Sequence, residues 1–297
     1  MSAAEVRLGP DFLCIGAQKA GTGWLYEQLR SHPDFWMPPM KELHYFDRRA
    51  SGGAGNTQRS LPLARNETER IAIARERIRD DRDREFVDRF ESLAPPPLLD
   101  FKSYAELFGP KGNLISGDIT PGYSLLDDDL VNEITTRFAA AKVIFIARDP
   151  VERAWSQISM YVRRGLVDRF NPDDPDQITE QLRRPEILAR SYPVEIVRRW
   201  KRFVSPELFQ VYFFDDLVRD AAGLRHSIIS FLGADPHKRS GDLPAAYNAK
   251  ARKQKLPMTQ SAREHLVRFF GDELHACVTE LGGSAVDWPK RYGIQAD

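Results

Sequence analysis

Residues 12–24 read FLCIGAQKAGTGW, a short apolar run followed directly by a glycine-rich turn. The run from Phe12 to Ile15 predicts a strand that is covered on both faces, and a helical pattern follows over 24–30. At such a turn, the free N–H groups and the positive end of the helix dipole together form a site for an anion. Lys19 adds a positive charge to this turn and Thr22 adds a hydroxyl, so we expect an anion-binding turn here.

The rest of the chain continues to alternate strand-like and helix-like segments. Further strands are predicted over 142–147, 209–214 and, more weakly, 113–117. Helical spacing covers 24–30, 129–138, 151–163 and 216–232. Strands that alternate with helices indicate an α/β fold, with a mainly parallel sheet flanked by helices.

Two segments depart from this alternation. Residues 65–91 are dense in charges of both signs and predict one solvated helix, which the three prolines at 95–97 end. Residues 168–185 contain three prolines and are interpreted as a loop or lid. Neither segment divides the chain, so we expect a single domain over 1–297.

Composition narrows the class of protein. Lys plus Arg equals Asp plus Glu, 43 each, which gives no reason to expect a nucleic-acid partner. Two cysteines in 297 residues make a disulfide framework improbable and favour a reducing compartment. No apolar run has the length of a transmembrane segment, and residues 1–10 lack a signal-peptide core, so a cytoplasmic protein is expected.

A second candidate anion site follows the strand at 142–147. Arg148 lies at the carboxyl end of that strand, where α/β sheets bind ligands, and Pro150 suits the first turn of a helix. Ser156 follows two turns into that helix. An arginine fork and a hydroxyl suit a terminal phosphate, although a surface ion pair and a helix filler explain the two residues equally well on their own.

A kinase or NTPase with a Walker A loop is the first alternative. Gly16 and Gly21 have the spacing of that motif, but Thr22 stands where it needs lysine, and the lysine comes earlier, at Lys19. This departure disfavours a metal-dependent NTPase. A non-catalytic nucleotide-binding protein is the second alternative.

Three blocks resemble the sulfotransferases that use PAPS (phosphoadenosine phosphosulfate). Residues 18–24 resemble their phosphosulfate-binding loop, and 41–47, KELHYFD, are similar to a Lys-Glu-x-His-Phe-Phe-Asp block of heparan-sulfate-type and bacterial members. Arg148 and Ser156 match the arginine and serine that hold the ribose phosphate. The resemblance extends over 12–288 and implies a P-loop-like, sulfotransferase-like architecture. It weakens near 48–110 and 168–193, where we expect acceptor-binding insertions.

The resemblance implies PAPS as donor, PAP as product and no metal. Trp24 is expected to stack on adenine or to pack in the core, and the basic segment 248–258 is expected to cover the nucleotide. The donor-binding residues implied are Gln18, Lys19, Ala20, Gly21, Thr22, Gly23, Trp24, Arg148, Ser156, Lys250 and Arg252.

The resemblance also implies the catalytic roles. Glu42 is expected to be the base, with His44 as the alternative, since its ordinary pKa of about 6.5 lies near neutrality. Lys19 is expected to stabilise the leaving oxygen, and Lys41 to orient the site or help bind the sulfate. The acceptor, a small molecule, lipid or carbohydrate, is not identified, nor is the oligomeric state. Ile119 replaces a lysine of heparan-sulfate-type enzymes, which argues against a polysaccharide acceptor.

Overall fold

The computed structural model describes residues 8–47, 67–93, 99–238 and 256–294. Its centre is a four-stranded sheet with the order β2-β1-β3-β4, in which every neighbouring pair is parallel. The strands are β1 (Phe12–Gly16), β2 (Gly117–Ile119), β3 (Lys142–Ala147) and β4 (Phe209–Phe213). The prediction of a mainly parallel sheet is confirmed.

Helices flank this sheet and connect its strands. In chain order they are α1 (Thr22–Arg30), α2 (Glu67–Glu76), α3 (Asp81–Ser92), α4 (Phe101–Glu106), α5 (Asp128–Arg137), α6 (Pro150–Arg163), α7 (Pro175–Leu182), α8 (Pro185–Leu188), α9 (Pro193–Lys201), α10 (Phe214–Arg219), α11 (Ala221–Leu232), α12 (Gln260–Phe269) and α13 (Gly271–Leu281). The helices predicted over 24–30, 129–138 and 151–163 are confirmed to within two residues at each end.

The prediction of a strand over 113–117 is wrong, because β2 begins only at Gly117. The preceding residues form backbone hydrogen bonds elsewhere. Ile115 donates its N–H to the carbonyl of Asp34 at 3.0 Å, and its own carbonyl accepts from Trp36 at 2.9 Å. An apolar pattern does not show whether a segment forms hydrogen bonds with a strand of the sheet or, as here, with residues 34 and 36 outside it.

Two segments predicted as single helices are each two helices. Within 65–91, the first helix ends at Glu76, and Asp80 caps α3, because its side chain accepts from the N–H of Asp83 at 3.0 Å. Within 216–232, Asp220 does the same for α11 through the N–H of Gly223 at 2.9 Å. An aspartate side chain competes for backbone N–H groups and so favours a helix start over a helix interior.

The interpretation of 168–185 as a loop or lid is also corrected, since α7 occupies 175–182. Pro175 is the first residue of that helix, and Asp174 caps it. Proline at this position costs no hydrogen bond, so a proline that was taken to break structure starts a helix instead. The prolines at 95–97 lie outside the described residues.

The strand order brings the two candidate anion turns together. β1 and β3 are neighbours, and the chain leaves β1 towards β2 on one side and β3 towards β4 on the other. A parallel sheet opens a crevice at such a point, outside the carboxyl ends of the two strands. The fold therefore places a candidate ligand site between residues 16–22 and 148–150.

The core extends over both faces of the sheet and includes both cysteines. Cys14 in β1 and Cys277 in α13 are fully buried free thiols. Burial raises the pKa of the Cys14 thiol to about 12 and that of Cys277 well above its usual range. Within the described ranges, no helix is both long enough and apolar enough to cross a bilayer.

Candidate active site

The first turn leaves the start of α1 open. Gly21 is the N-terminal cap of α1 with φ of 91°, and no side chain caps this helix. A Cβ at Gly21 would lie 2.6 Å from a methyl group of Leu217, whereas one at Gly23 would meet no atom within 4 Å. A side chain at Gly21 would therefore be strained and crowded, while no atom crowds the backbone at Gly23.

The other residues of this turn differ in exposure. Lys19 adopts a left-handed conformation with φ of 75°, and its Nζ lies 3.7 Å from the sulfur of Met160 in α6. Gln18 is half-buried, while Ala20 and Thr22 are buried. Trp24 is 4% exposed and packs in the core, and its Nε1 has no hydrogen-bond partner among the described residues. Stacking of Trp24 on adenine remains a prediction.

The second turn contacts the first through Arg148. One guanidinium nitrogen of Arg148 donates to the carbonyl of Lys19 at 2.6 Å, and the group lies 4.4 Å from the ring centre of Phe214. Its Nε is buried without a partner among the described residues. Ser156 is 6% exposed on the same helix that follows Arg148. These contacts place the arginine and the lysine turn in one site.

The start of α6 is already occupied by a side chain of the chain itself. The carboxylate of Asp149 accepts from the N–H of Val151 at 2.9 Å and of Glu152 at 3.4 Å. The hydroxyl of Tyr292 donates to its other oxygen at 2.7 Å. The backbone of this turn is thus not available to an anion, and only side chains could bind one here.

The end of the basic segment is anchored beside Ser156. The carbonyl of Leu256 accepts from the indole of Trp155 at 3.0 Å, and its N–H donates to the hydroxyl of Ser159 at 2.9 Å. Lys250 and Arg252, the predicted donor-binding residues of this segment, lie outside the described residues.

Residues 41–47 form a connected charged cluster. Lys41 pairs with Glu42, whose other oxygen lies 3.4 Å from Nε2 of His44. Nδ1 of His44 lies 2.8 Å from the carboxylate of Asp47. Glu42 and His44 have positive φ values, 62° and 53°, which turn their side chains towards each other. The predicted catalytic residues of this block therefore lie together.

The charges of the cluster shift two pKa values in opposite directions. Burial opposes ionisation of Glu42, but Lys41 and His44 outweigh it and lower the pKa of that carboxyl. Burial also opposes protonation of His44, but Asp47 and Glu42 outweigh it and raise the pKa of the imidazole. Both ring nitrogens of His44 face carboxylates, so His44 is placed to orient Glu42 rather than to accept a proton itself.

Neighbouring elements hold this cluster in place. Arg70 in α2 donates to the carbonyls of Glu42 and Leu43. A Cβ at Gly122 would lie 2.1 Å from the carboxylate of Asp47, so this position admits no side chain while Asp47 keeps its place. Ile119, where heparan-sulfate-type enzymes have lysine, is 2% exposed in β2.

A cavity of about 300 Å³ opens beside the cluster. Lys41, Glu42 and His44 form part of its wall, and α2 forms another part. The full lining is Pro39, Met40, Lys41, Glu42, His44, Arg70, Ile73, Ala74, Arg77 and Arg164. The cavity combines apolar surface with several cations, and among the described residues of its lining only Glu42 has a carboxylate.

Two buried arginines near the site were missed by the sequence analysis. Arg153 in α6 and Arg190 before α9 are 1% and 3% exposed. One nitrogen of Arg190 donates to the side-chain oxygen of Gln18 in the first turn, at 2.7 Å. No local pattern marks either residue, because arginine is common throughout this chain and only the fold brings Arg190 to residue 18.

Comparison with known proteins identifies the same architecture. The chain is similar to a sulfotransferase from Alicyclobacillus acidocaldarius, with 20% identity, a TM-score of 0.66, and coverage of 96% of this chain and 99% of that one. It also resembles the sulfotransferase domain of the Synechococcus PCC 7002 olefin synthase, with 19% identity, a TM-score of 0.52, and coverage of 90% and 97%. A third similar structure is the sulfotransferase domain from the curacin biosynthetic pathway, with 15% identity, a TM-score of 0.52, and coverage of 89% and 98%.

At these identities, the structural likeness establishes the fold. No curated protein matches the sequence. The profile of the Sulfotransferase family matches residues 10–238, more than half of the chain. The predicted resemblance and the sulfotransferase-like fold are both confirmed, and this chain belongs to the Sulfotransferase family.

Proposed function

We propose that this protein transfers a sulfuryl group from PAPS to a hydroxyl or amine of an acceptor. The observation that carries the proposal is the pair of adjacent turns, in which Arg148 hydrogen-bonds to the backbone of Lys19. PAPS bears one phosphate on its ribose and a phosphosulfate at the other end of adenosine, so it needs two anion sites. A nucleoside triphosphate has its phosphates at one end only and does not need the second.

The first turn suits the phosphosulfate end of the donor. The uncapped start of α1 offers backbone N–H groups, and Lys19 offers a cation. Sulfuryl transfer resembles phosphoryl transfer, in which catalysis comes from positioning and from stabilising charge on the leaving oxygen. Lys19 has this stabilising role in the proposal. Arg148 and Ser156 bind the ribose phosphate.

Glu42 accepts the proton of the acceptor in this proposal. Its carboxylate borders the cavity and lies 3.4 Å from His44, which Asp47 orients. The lowered pKa of Glu42 keeps it ionised at neutral pH, but it also makes it a weak base. We therefore infer that the proton moves late, after most of the new bond to sulfur has formed.

The cavity beside Glu42 is the proposed acceptor site. Three of its lining residues, Arg70, Ile73 and Ala74, belong to α2, within the segment 48–110 that we predict to be variable. Loops and added elements on a fixed scaffold are where specificity usually resides. The acceptor is a small molecule, a lipid or a carbohydrate in this proposal, and its identity stays open.

The proposal is tested by sulfuryl transfer from radiolabelled PAPS to a panel of hydroxyl and amine acceptors, with EDTA present. We expect transfer that survives the chelator, and PAP should raise the melting temperature far more than ADP does at equal concentration. Equal stabilisation by PAP and ADP, together with ATP turnover that Mg²⁺ restores, would instead favour the kinase or NTPase alternative.

The variant Glu42→Gln separates chemistry from donor binding. The amide keeps the shape of the side chain but cannot take the proton, so the transfer rate should fall by roughly 10²-fold, at the lower end of the usual range for a general base. PAP affinity, measured by calorimetry, should stay within about threefold. Near-normal turnover would reject Glu42 as the base, and loss of PAP binding would assign it to the donor pocket.

A further inference from the structure

Arg190 is a buried cation that forms no ion pair with any carboxylate in the described part of the chain. It lies in the short turn Ala189–Ser191 before α9, and its side chain is 3% exposed. Its one hydrogen bond to a described residue goes to the neutral amide of Gln18, and no described carboxylate forms an ion pair with it. A buried guanidinium donor without a hydrogen-bond partner is costly, so the unsatisfied Nε of Arg190 favours an acceptor that binds there.

Arg153 shows what a structural arginine looks like in the same region. Its three guanidinium nitrogens donate to the hydroxyl of Ser191 at 3.0 Å, the amide oxygen of Gln157 at 2.7 Å and the carbonyl of Ile187 at 2.8 Å. Every nitrogen of Arg153 is thus satisfied. Arg190, by contrast, has a buried Nε with no partner among the described residues. Spare donors on a fixed cation are suited to a ligand rather than to the fold.

Arg190 interacts with both halves of the site, through a hydrogen bond to the first turn and through the charges of residues 42 and 47. On one side, its partner Gln18 directly precedes Lys19 in the first turn. On the other side, burial lowers the pKa of Arg190, and Tyr161, followed by the carboxylates of Asp47 and Glu42, partly offsets that effect. The group that must pass between the leaving oxygen near Lys19 and the acceptor near Glu42 is the sulfuryl group.

We propose that Arg190 binds the non-bridging oxygens of the transferred sulfuryl group, and that Gln18 is a positioning residue that holds its guanidinium. This inference rests on the proposed function. In the reaction, the acceptor oxygen or nitrogen forms a bond to sulfur, and the bond from sulfur to the phosphate oxygen of PAPS breaks. The electron pair of that bond leaves with PAP, and Glu42 takes the proton. Arg190 keeps the same oxygens bound throughout.

The test compares Arg190→Gln with Arg183→Gln, which removes the same charge from an exposed position of the same region. PAP lacks the sulfuryl group, so the affinity of Arg190→Gln for PAP should stay within about threefold of wild type. Its affinity for PAPS should fall at least tenfold, and the transfer rate by about 10²–10³-fold, as when one transition-state donor is removed. Arg183→Gln should match the wild type in all three measurements.

Gln18→Ala provides a second variant that leaves the buried arginine in place. It should weaken the preference for PAPS over PAP and slow transfer in the same direction as Arg190→Gln, but less. Equal losses of PAP and PAPS affinity in Arg190→Gln would assign the residue to a phosphate site. An unchanged rate in both variants would overturn the inference. A wild type that neither binds PAP nor transfers sulfate would instead overturn the proposed function, and this inference with it.

Discussion

The two turns at the carboxyl ends of β1 and β3 prepare for an anion in opposite ways. The start of α1 has a glycine at its cap and no side chain on its backbone N–H groups. The start of α6 has Asp149, whose carboxylate already accepts two of those groups. The first turn can therefore bind an anion through backbone N–H groups, whereas the second can do so only through the side chains of Arg148 and Ser156.

Under the proposed function, this difference orients a donor with two charged ends. Backbone N–H groups and a helix dipole suit the crowded phosphosulfate, whose charge changes during reaction, because they need no rearrangement. An arginine fork suits a phosphate that stays unchanged and serves as a handle.

The largest effect is expected at the turn where charge develops. Lys19→Ala removes the cation that we propose stabilises the leaving oxygen, so the transfer rate should fall by about 10²–10³-fold, and PAP affinity should also weaken. The measurements are labelled sulfuryl transfer and calorimetry with PAP. The outer lysine Lys102, 85% exposed, supplies a control substitution, Lys102→Ala, that should change neither. Loss of binding without loss of rate would reverse the roles given to the two turns.

A smaller effect, on binding alone, is expected at the second turn. Hydrogen bonds to charged groups contribute roughly 1.5–3 kcal/mol, so Arg148→Ala should weaken PAP by about 10- to 100-fold. Affinity for ADP, which lacks the ribose phosphate, should change less than threefold. Ser156→Ala should act in the same direction and more mildly. Parallel losses for PAP and ADP would mean that Arg148 supports the first turn through Lys19 rather than binding the second phosphate.

The smallest effect on donor affinity is expected for substitution of Asp149, the N-terminal cap of α6. Burial raises the pKa of Asp149 to about 6, above its value of about 3.9 in the unfolded chain. The folded protein therefore binds a proton at Asp149 more tightly than the unfolded chain does. The contribution of this protonation to the free energy of unfolding is complete below about pH 4 and is lost as the pH rises to about 6. The variant Asp149→Asn resembles the protonated form, so it should not lose stability over this pH range.

Melting curves of wild type and Asp149→Asn between pH 4 and 7 check this sign. The free energy of unfolding of the wild type should fall relative to the variant by on the order of 2 kcal/mol across that range. PAP affinity should be the same in both proteins at pH 7. A difference that stays constant with pH would mean that Asp149 is ionised throughout, and that its role is capping alone.

The comparison of the turns also shows what the sequence could and could not predict. The strands before both turns, and the helix starts after them, follow from apolar runs and glycine or proline at definite places. The cluster at Glu42 and His44 was predictable only as a resemblance, since the local pattern is that of an ordinary polar turn. Arg190 was not predictable, because its partner Gln18 lies 172 residues away in the chain.

The wrong predictions of secondary structure had a similar physical origin. The strand misplaced at 113–117 and the helices merged at Asp80 and Asp220 each depended on a hydrogen bond whose partner the periodicity does not reveal. Apolar spacing indicates which face is buried. It does not indicate which backbone groups find each other.

Because the thiol of Cys14 is buried, its chemical modification can be used to measure local opening of the sheet. Cys14 lies in β1, two residues before the first turn, and the reactive thiolate form is suppressed because burial raises its pKa to about 12. An alkylating reagent can therefore modify Cys14 only when the central strand separates from its neighbours. The rate of Cys14 modification therefore measures how often β1 separates from its neighbouring strands. A ligand that stabilises the crevice between β1 and β3 would lower this rate, and the measurement needs no introduced label.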